Sequence, residues 1–486
     1  MCIPLQPGMT LKSFPAFFLL MLDDNKYKIY SQTSRPYVLF SRINSDTGES
    51  YDIYEIGRKE NSQTQLLSYS FSRSVNSLYG EFEIQIKDND RLIDKLNSLD
   101  VVYIYEKKDK VSFIGIIKTL SLGATAGAYN KSVYISGVSV GALFEMMNLS
   151  TDATSLSFFI NSPKNQEVTD TLTLILQNNI KEGKQGLSFK EAFNTVYNKF
   201  VEVMTNKTYA KIAASGIYSI IKNIFGEPST FLKSDNLSFY YQIVKNLYDT
   251  NEINIYSYFK SLLPEEIYEL YETIENGKPY LIARRHPFSK SDWQTLEKNK
   301  IVLDPALITD YTLSRSCENV YTSFFAMIEG SSLSTDFYKI ISSSESGNAS
   351  FTYDLDKTKK YGYRPLISAF NEYAKPEITK AEKDYLNKVF KDLSNELKDW
   401  YSKLDEMYTG DVTIILNQND KNTVSIGNLV QLCSGTFYVT QEKHNWNYES
   451  PITINYTLER GGNYINGTFS KLQNISARFS ELLEKE

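Results

Sequence analysis

The chain of 486 residues has little of the chemistry on which most enzyme sites depend. It has three cysteines, Cys2, Cys317 and Cys433, which are too few and too scattered for a disulfide framework. No two of them have the spacing of metal ligands. The two histidines, His286 and His444, lie far apart in the chain. We therefore expect synthesis in a reducing cytoplasm, with no metal site and no cofactor.

Phosphate-binding and membrane signals are missing too. The small-residue turn Gly123 to Gly127 has no Lys-Ser or Lys-Thr after it, so it is not a phosphate loop. The apolar stretch Phe14 to Leu22 contains Pro15 and is too short to span a bilayer. It also lacks the charged start and cleavage site of a signal peptide. The sequence predicts no export signal and no membrane helix.

Candidate catalytic groups are few. The carboxylate pairs Glu265-Glu266 and Asp405-Glu406 are predicted on helices facing solvent, without the apolar setting that raises one pKa in a glycosidase. A thiol–imidazole pair of Cys433 and His444 is conceivable, because both lie on neighbouring predicted strands. A structural cysteine and a surface or turn histidine are the favoured interpretation. We expect no catalytic residue.

The composition is that of an ordinary globular protein. Apolar residues make up 42% and charged residues 23%, and the length predicts two to four domains. The net charge of −6 argues against a surface that grips nucleic acid throughout, although DNA could still pass along it. The 36 tyrosines and 27 phenylalanines give weak support to an assembly role, since tyrosine favours interfaces.

An internal repeat is the most informative feature. Tyr69 to Phe82 returns as Tyr311 to Phe324, shifted by 242 residues. Each copy alternates like a strand, turns, and alternates again, which predicts two copies of one strand–turn–strand unit. Chance similarity is the alternative. The recurring residues singled out are Tyr69, Arg73, Tyr79 and Phe82 in the first copy and Tyr311, Arg315, Tyr321 and Phe324 in the second. The two arginines are predicted to bond backbone carbonyls, with an anion site as the alternative.

The predicted fold class is α+β, with two tandem tube-like antiparallel β-barrels, the second split by insertions, and a helical insert domain. Closed barrels are favoured over open sheets because open sheets leave edges unpaired. The predicted divisions are a β-rich lead-in (1–65), the first barrel (66–147), a mainly helical insert (148–300), the second barrel (301–330 with 409–462), an insertion with a long helix (331–408) and a tail with a loop and a short helix (463–486).

Helix signals lie in the two insertions. Ser188-x-x-Glu191 and Thr379-x-x-Glu382 are capping boxes, and Pro264 suits the first turn of a helix from Glu265 to Ile274. Behind the second box, apolar residues step by four and three, which is typical of a coiled-coil seam. Packing on the protein's own sheet is the favoured alternative. The seam residues are Leu386, Phe390, Leu393, Leu397, Trp400, Leu404 and Met407.

Taken together, these segments resemble the baseplate hub proteins of contractile-tailed phages and related injection systems. That group includes the phage late control proteins and the valine-glycine repeat proteins of type VI secretion. The resemblance covers roughly two thirds of the chain, and the helical insert departs from the compact members. It is carried by Leu67 to Ile86 with Val101 to Gly115, Asp310 to Val320, Tyr361 to Leu366 before the helix ending at Trp400-Tyr401, and Phe437 to Gly461.

The resemblance implies a structural, non-enzymatic hub: a homotrimer whose six barrels form a ring that connects tail tube to spike. The implied partners are further copies of the chain, the spike or puncturing protein, a tail tube or distal tube protein, the tape measure protein and other baseplate proteins. DNA would be met only in transit, and the location would be the virion tail baseplate. The alternative is a cell-wall hydrolase or carbohydrate-binding tail protein that acts through the helical insert.

Overall fold

A sheet of 14 strands, almost all of them antiparallel, dominates the computed structural model. The structure describes residues 35–44, 47–57, 64–88, 91–124, 131–150, 171–172, 174–175, 178, 187–205, 215–234, 238–239, 252–328, 349–370, 380–416, 423–432, 434–448 and 450–472. Together with a few helices the sheet makes an α+β fold, as predicted.

The strands are numbered in chain order. They are β1 Tyr37–Ile43, β2 Ser50–Ile56, β3 Gln65–Ser74, β4 Glu81–Lys87, β5 Val101–Lys107, β6 Lys110–Ala124, β7 Lys131–Ser139, β8 Asn148–Ser150, β9 Leu187–Ser188, β10 Leu232–Ser234, β11 Ser238–Phe239, β12 Glu252–Asn254, β13 Tyr268–Glu275, β14 Lys278–Arg285, β15 Ile301–Val302, β16 Ile308–Ser314, β17 Ser323–Ile328, β18 Ala349–Tyr353, β19 Pro365–Phe370, β20 Tyr408–Ile415, β21 Leu429–Leu432, β22 Gly435–Asn447, β23 Thr453–Ile465 and β24 Thr468–Ser470.

The described ranges contain fewer helices than strands. The α-helices are α1 Phe189–Thr205, α2 Ser215–Ile224, α3 Pro228–Phe231, α4 Ile255–Leu262, α5 Lys290–Glu297, α6 Leu355–Tyr361 and α7 Lys380–Tyr401. Short 3-10 helices span Leu92–Asp94, Val140–Phe144, Pro305–Leu307 and Leu404–Glu406.

One order of five strands occurs twice in the large sheet. The first strand group runs β3-β4-β7-β6-β5, and the second runs β16-β20-β23-β22-β21. The groups are joined side by side, because β22 of the second pairs antiparallel with β3 of the first. Strands β1 and β2 extend the sheet beyond β5, so part of the predicted lead-in belongs to it.

The alternation of apolar and polar residues in the sequence identifies which side chains form the core. In β4, Phe82, Ile84 and Ile86 are buried while Glu81 and Glu83 are exposed. The largest cluster of buried apolar side chains takes residues from both strand groups. Its members include Phe40, Phe71, Phe113, Phe437, Ile454 and Leu458.

The helical part of the chain has its own aromatic core. Phe193 of α1 packs with Phe144, Phe231 and Phe259, and the ring centroids are 5.2 to 6.0 Å apart. The predicted capping box at the start of α1 is confirmed. Ser188 N donates to Glu191 Oε2 at 3.1 Å, and Glu191 N donates back to Ser188 Oγ at 3.2 Å.

The long helix α7 packs on a sheet of its own chain. Phe390, Leu397 and Trp400 lie in one buried cluster with Phe324 of β17 and Leu366 of β19. The favoured alternative to a coiled-coil seam is therefore confirmed. Thr379 of the predicted capping box and the side chain of Leu386 lie outside the described residues.

Three predictions about strands and helices are wrong. The predicted helix from Glu265 to Ile274 is strand β13, which forms a hairpin with β14. The second repeat copy is not a hairpin, because β17 pairs with β18 and β19 in a separate three-stranded sheet. In the tail, the predicted loop is wrong at its start, because β23 continues to Ile465 and pairs with β24. The rest of the tail, residues 473–486, lies outside the described residues. Each error has one cause: local pattern does not say which distant strand supplies the hydrogen-bond partner.

The barrel prediction is corrected as well. Among the described strands the two groups are parts of one continuous sheet, and no pairing closes either group into a separate barrel. Residues 1–34 of the predicted lead-in and Cys433 lie outside the described residues.

Candidate functional site at the strand junction

The ladder between β22 and β3 is the place where the two strand groups meet. Seven consecutive residue pairs form it, from Gln441 opposite Ser74 to Asn447 opposite Ser68. The inward-facing positions carry aromatic and charged side chains rather than aliphatic ones. Trp446 lies opposite Tyr69, His444 opposite Phe71 and Glu442 opposite Arg73.

A buried ion pair links the two strands. Arg73 Nη2 lies 2.7 Å from Glu442 Oε1, and both side chains are almost completely buried. Burial opposes ionisation of Glu442, but the charge of Arg73 and the contact with His444 outweigh it and lower the Glu442 pKa. Nε and Nη1 of Arg73 have no hydrogen-bond partner within the described part of the chain.

His444 extends this charged cluster towards β5. Its Nδ1 donates to Glu106 at 2.9 Å, and its ring stacks on Phe71 with centroids 4.3 Å apart. Burial alone would lower the pKa of His444, but the charge of Glu106 and its hydrogen bond raise that pKa to about 9. The Tyr69 hydroxyl donates to Glu106 Oε1 at 3.0 Å. The imidazolium of His444 and the guanidinium of Arg73 thus compensate the negative charges of the two carboxylates, Glu106 and Glu442.

A third carboxyl reaches the junction from the hairpin β13–β14. Glu272 Oε2 accepts from Ser139 Oγ at 2.7 Å and from the backbone N–H of Gly141 at 2.5 Å. Burial raises the pKa of Glu272 to about 7, although these hydrogen bonds and the charge of Arg73 oppose the rise. Glu272 Oε1 has no hydrogen-bond partner among the described residues.

The same hairpin is also fastened to the second strand group. Arg284 donates from Nε to Glu269 Oε2 at 2.9 Å and from Nη2 to Gly427 O at 2.6 Å. Glu269 additionally accepts from Tyr438 Oη, and its Oε1 lies 2.9 Å from Nδ1 of His286. Burial opposes ionisation of Glu269, but Arg284 and His286 lower its pKa. The hairpin therefore contacts both groups through buried carboxyl groups, Glu272 in the first and Glu269 in the second.

The charged side chains of this site form buried pairs that hold the two strand groups and the hairpin together. Buried charges are tolerated only when they are paired, and losing one partner leaves the other charge without compensation. In the ranges that the structure describes, no cluster of three or more His, Cys, Asp or Glu side chains could hold a metal ion. No described helix is long and apolar enough to cross a membrane.

The structure brings together only some of the residues singled out in the repeat. Tyr69, Arg73 and Phe82 are buried in the first strand group. Tyr79 is half-buried, with Lys118 Nζ 5.8 Å from its ring centroid. Tyr311 is half-buried on β16.

The other three lie away from the junction. Arg315 is exposed and lies 4.9 Å over the ring of Tyr408. Tyr321 and Phe324 belong with the separate three-stranded sheet. The predicted bonds from both arginines to backbone carbonyls are wrong for Arg73, which pairs with a carboxylate instead.

Sequence reasoning missed the carboxylates and placed His444 wrongly. His444 is buried, not a surface or turn residue, and His286 is buried as well. One signal was available, because Glu442, His444 and Trp446 fall on one face of a strand by simple alternation. Charged residues on the face that also carries a tryptophan indicate buried, paired charges.

No protein-family profile matches the chain, and no curated protein matches it either. Solved structures do match. The 43 kDa tail protein of prophage MuSo2 from Shewanella oneidensis shares 11% identity and a TM-score of 0.45, over 87% of this chain and 98% of that one. The tail protein from Neisseria meningitidis MC58 shares 10% and 0.44, over 87% and 96%.

A third match is the structure of a Francisella PdpA-VgrG complex, at 10% identity and a TM-score of 0.41, over 91% of this chain and 55% of that one. The resemblance to tail, baseplate and type VI secretion proteins is confirmed. Because these TM-scores are below 0.5, the function proposed below rests on the residues of this chain.

Proposed function

We propose that this protein is the structural hub of a tail or injection machine. Three copies form a ring, and each copy contributes its two strand groups as tube-type units. The ring connects the tail tube to the central spike and lets DNA or tape measure protein pass. On this proposal the protein belongs to the virion baseplate, contacts tube, spike and other baseplate proteins, and is not an enzyme.

The observation that carries the proposal is the register shared by the two strand groups. Tyr69 lies opposite Ile84, and Tyr311 lies opposite Val412. The same correspondence continues when the residue pairs are followed from strand to strand within each group, and no shift in register is needed. The equivalent pairs are Tyr69 and Tyr311, Ile84 and Val412, Ile135 and Tyr456, and Leu120 and Glu442.

One irregularity in β6 coincides with one in β22 as well. The pairing of β6 with β7 shifts between Ile117 and Thr119, and that of β22 with β23 shifts between Val439 and Gln441. With Leu120 equivalent to Glu442, both bulges fall at the same position. A bulge inserts one unpaired residue and re-aims the strand, so shared bulges indicate shared curvature.

A ring of repeated units needs this equivalence. A head-to-tail ring closes only when successive interfaces turn the chain by nearly equal angles. Two similar units in each chain allow three chains to present six units, which suits a sixfold tube on one side and a threefold spike on the other. The buried charges at the β22–β3 junction hold the two units of one chain at a fixed angle.

The native mass in solution tests the proposal. Light scattering of the purified protein is expected to give about 167 kDa, three times the chain mass of 55.7 kDa. Negative-stain images of the same sample are expected to show rings with a central hole. A monodisperse monomer at micromolar concentration would overturn the ring.

A further inference from the structure

Strand β6 is paired differently along its two halves. Residues Lys110–Ile116 pair with β5 on one side and residues Gly115–Ala124 pair with β7 on the other. Beyond Ile117, which exchanges backbone hydrogen bonds with Leu99 and Asp100, β6 has β7 as its one strand partner in the described part of the chain. Among the described strands, this second half of β6 is an open sheet edge.

The open edge carries an exposed apolar side chain. Leu122 is 66% exposed, and it lies on the same face as Leu120, which packs against the main core. Thr119 and Ser121 are exposed on the opposite face. An open strand edge with a large apolar residue is a ready template for pairing with another strand.

The equivalent half of β22 shows what such an edge accepts. Leu120 is equivalent to Glu442, so Leu122 is equivalent to His444. That half of β22 pairs with β3, where His444 lies opposite Phe71. The strand equivalent to β3 is β16, which has β20 as its one strand partner in the described ranges. Phe71 corresponds to Leu313. Every chain therefore has both the open edge of β6 and, in β16, a strand equivalent to the one that pairs with the same half of β22.

We infer that the second half of β6 pairs antiparallel with β16 of a second copy of this chain, with Leu122 opposite Leu313. The inference rests on the proposed ring and names its contact between chains. By the same register Ser121 lies opposite Ser314, and Leu120 lies opposite Arg315. The contact is head-to-tail, because each chain offers two different edges, so copies add in one direction until the ring closes.

The two junctions then differ in chemistry. Within a chain, the ladder holds the pairs Glu442–Arg73 and His444–Phe71. Between chains, leucines take the places of Glu442, His444 and Phe71. Arg315, at the place of Arg73, lies over the Tyr408 ring and meets no carboxylate in the register. Apart from Arg315, the inward-facing positions of the junction between chains are therefore apolar. They include no carboxylate, so the strength of the junction does not depend on carboxylate protonation.

Cysteine cross-linking tests the register. The variants are made in a background with Cys2, Cys317 and Cys433 replaced by serine. Leu122→Cys with Leu313→Cys and Ser121→Cys with Ser314→Cys are the in-register pairs. In an antiparallel ladder, hydrogen-bonded residue pairs alternate with non-hydrogen-bonded pairs, whose side chains lie closer together. Two consecutive pairs therefore include one of each type. Ser121→Cys with Leu313→Cys is the matched control, since these side chains lie on opposite faces.

The expected result is a ladder of covalent dimer and trimer on non-reducing gels for at least one in-register pair, and none for the control. Mixing the single variants Leu122→Cys and Leu313→Cys is expected to give dimer, whereas either single variant alone gives none. Cross-linking of a single variant with itself would indicate a two-fold contact and overturn the inference.

Native mass separates this inference from the proposed function. A 167 kDa particle without cross-links at either in-register pair overturns the strand pairing but not the ring. A monomer without cross-links overturns both.

A charge placed on the open edge gives a second test. Leu122→Lys is expected to reduce the native mass to that of one chain while circular dichroism remains unchanged. Ile465→Lys is the control, because Ile465 is 64% exposed on β23, away from this edge. A trimer that persists in Leu122→Lys, or that is lost equally in Ile465→Lys, contradicts the inference.

Discussion

Leu99 and Gly427 adopt the same left-handed backbone conformation, with φ of 70° and 77°, at equivalent positions of the two strand groups. Each donates its backbone N–H to the residue that precedes a bulge, Leu99 to Ile117 O at 2.9 Å and Gly427 to Val439 O at 2.8 Å. A left-handed conformation costs a residue other than glycine about 1 to 2 kcal/mol. Its presence at Leu99 indicates that the surrounding strand pairing imposes it.

Gly427→Ala is expected to destabilise the protein by more than the backbone cost alone. A Cβ at this position would meet the Tyr271 hydroxyl, and it would lie 2.7 Å from Arg284 Nη2. The backbone would cost about 1 kcal/mol, and overpacking would add about 1 to 3 kcal/mol. Urea unfolding at one protein concentration measures the change.

Gly48→Ala is the control for this variant. Gly48 has φ of 71°, and a Cβ added to it would meet no atom within 4 Å, so the alanine carries the backbone cost without the collision. Equal losses for both variants would show that the contact with Arg284 does not matter.

Glu442→Gln is expected to be strongly destabilising. The change keeps the shape of the side chain but leaves Arg73 buried without its countercharge. Removing one partner of a buried pair costs about 3 to 5 kcal/mol. Glu265→Gln is the matched control, because the Glu265 side chain is 68% exposed in its pair with Lys260. Such a surface pair contributes about 0 to 1 kcal/mol.

The double variant Arg73→Met with Glu442→Met separates a charge effect from a packing effect. Apolar side chains of similar volume can replace a buried ion pair at little cost. We expect the double variant to unfold at a higher urea concentration than Glu442→Gln. An additive loss in the double variant would argue that the ion pair does not act as a unit.

Local signals predicted much of this fold. Alternation located β3 and β4, and the Ser188 capping box located the start of α1, since these patterns depend on neighbours in sequence. Strand partners could not be predicted in this way. Nothing near Ser323 says that it pairs with Tyr353 and Pro365 rather than with β16, because pairing is decided by packing across the whole sheet.

The candidate site was predicted even less completely. Tyr69 and Arg73 were singled out because they recur, but their partners Glu106 and Glu442 come from strands far along the chain. Glu272 was assigned to a helix, since Pro264 suits the first turn of a helix from Glu265 to Ile274. In the structure Glu272 is buried on a strand, where distant polar groups compensate it.

Leu397→Ala is expected to destabilise the fold without changing the native mass. Leu397 is fully buried between α7 and the three-stranded sheet of the same chain. Removing a buried leucine side chain costs about 2 to 5 kcal/mol. Leu355→Ala, at a position that is 54% exposed, should change stability by no more than about 0.5 kcal/mol. Loss of the trimer in Leu397→Ala, with folding intact, would instead favour a coiled-coil role for α7.

The free energy of unfolding should depend on pH because of the raised pKa of Glu272. Its pKa is raised from the ordinary value of 4.5 to about 7, so the folded state holds a proton that the unfolded state releases. The stabilisation is therefore complete below pH 4.5 and is lost as pH rises towards 7. The shift corresponds to about 3 kcal/mol. His444 acts in the same direction at higher pH, between its ordinary value of 6.5 and about 9.

Glu272→Gln isolates the first of these two steps. The amide resembles the protonated acid and can still accept hydrogen bonds from Ser139 and Gly141, but it does not titrate. Urea unfolding of both proteins at several values between pH 4.5 and 9 measures the difference in unfolding free energy. The two proteins should differ by an amount that changes between pH 4.5 and 7 and is constant above, where His444 titrates in both. A constant difference over the whole range would mean that Glu272 keeps its ordinary pKa in the folded protein.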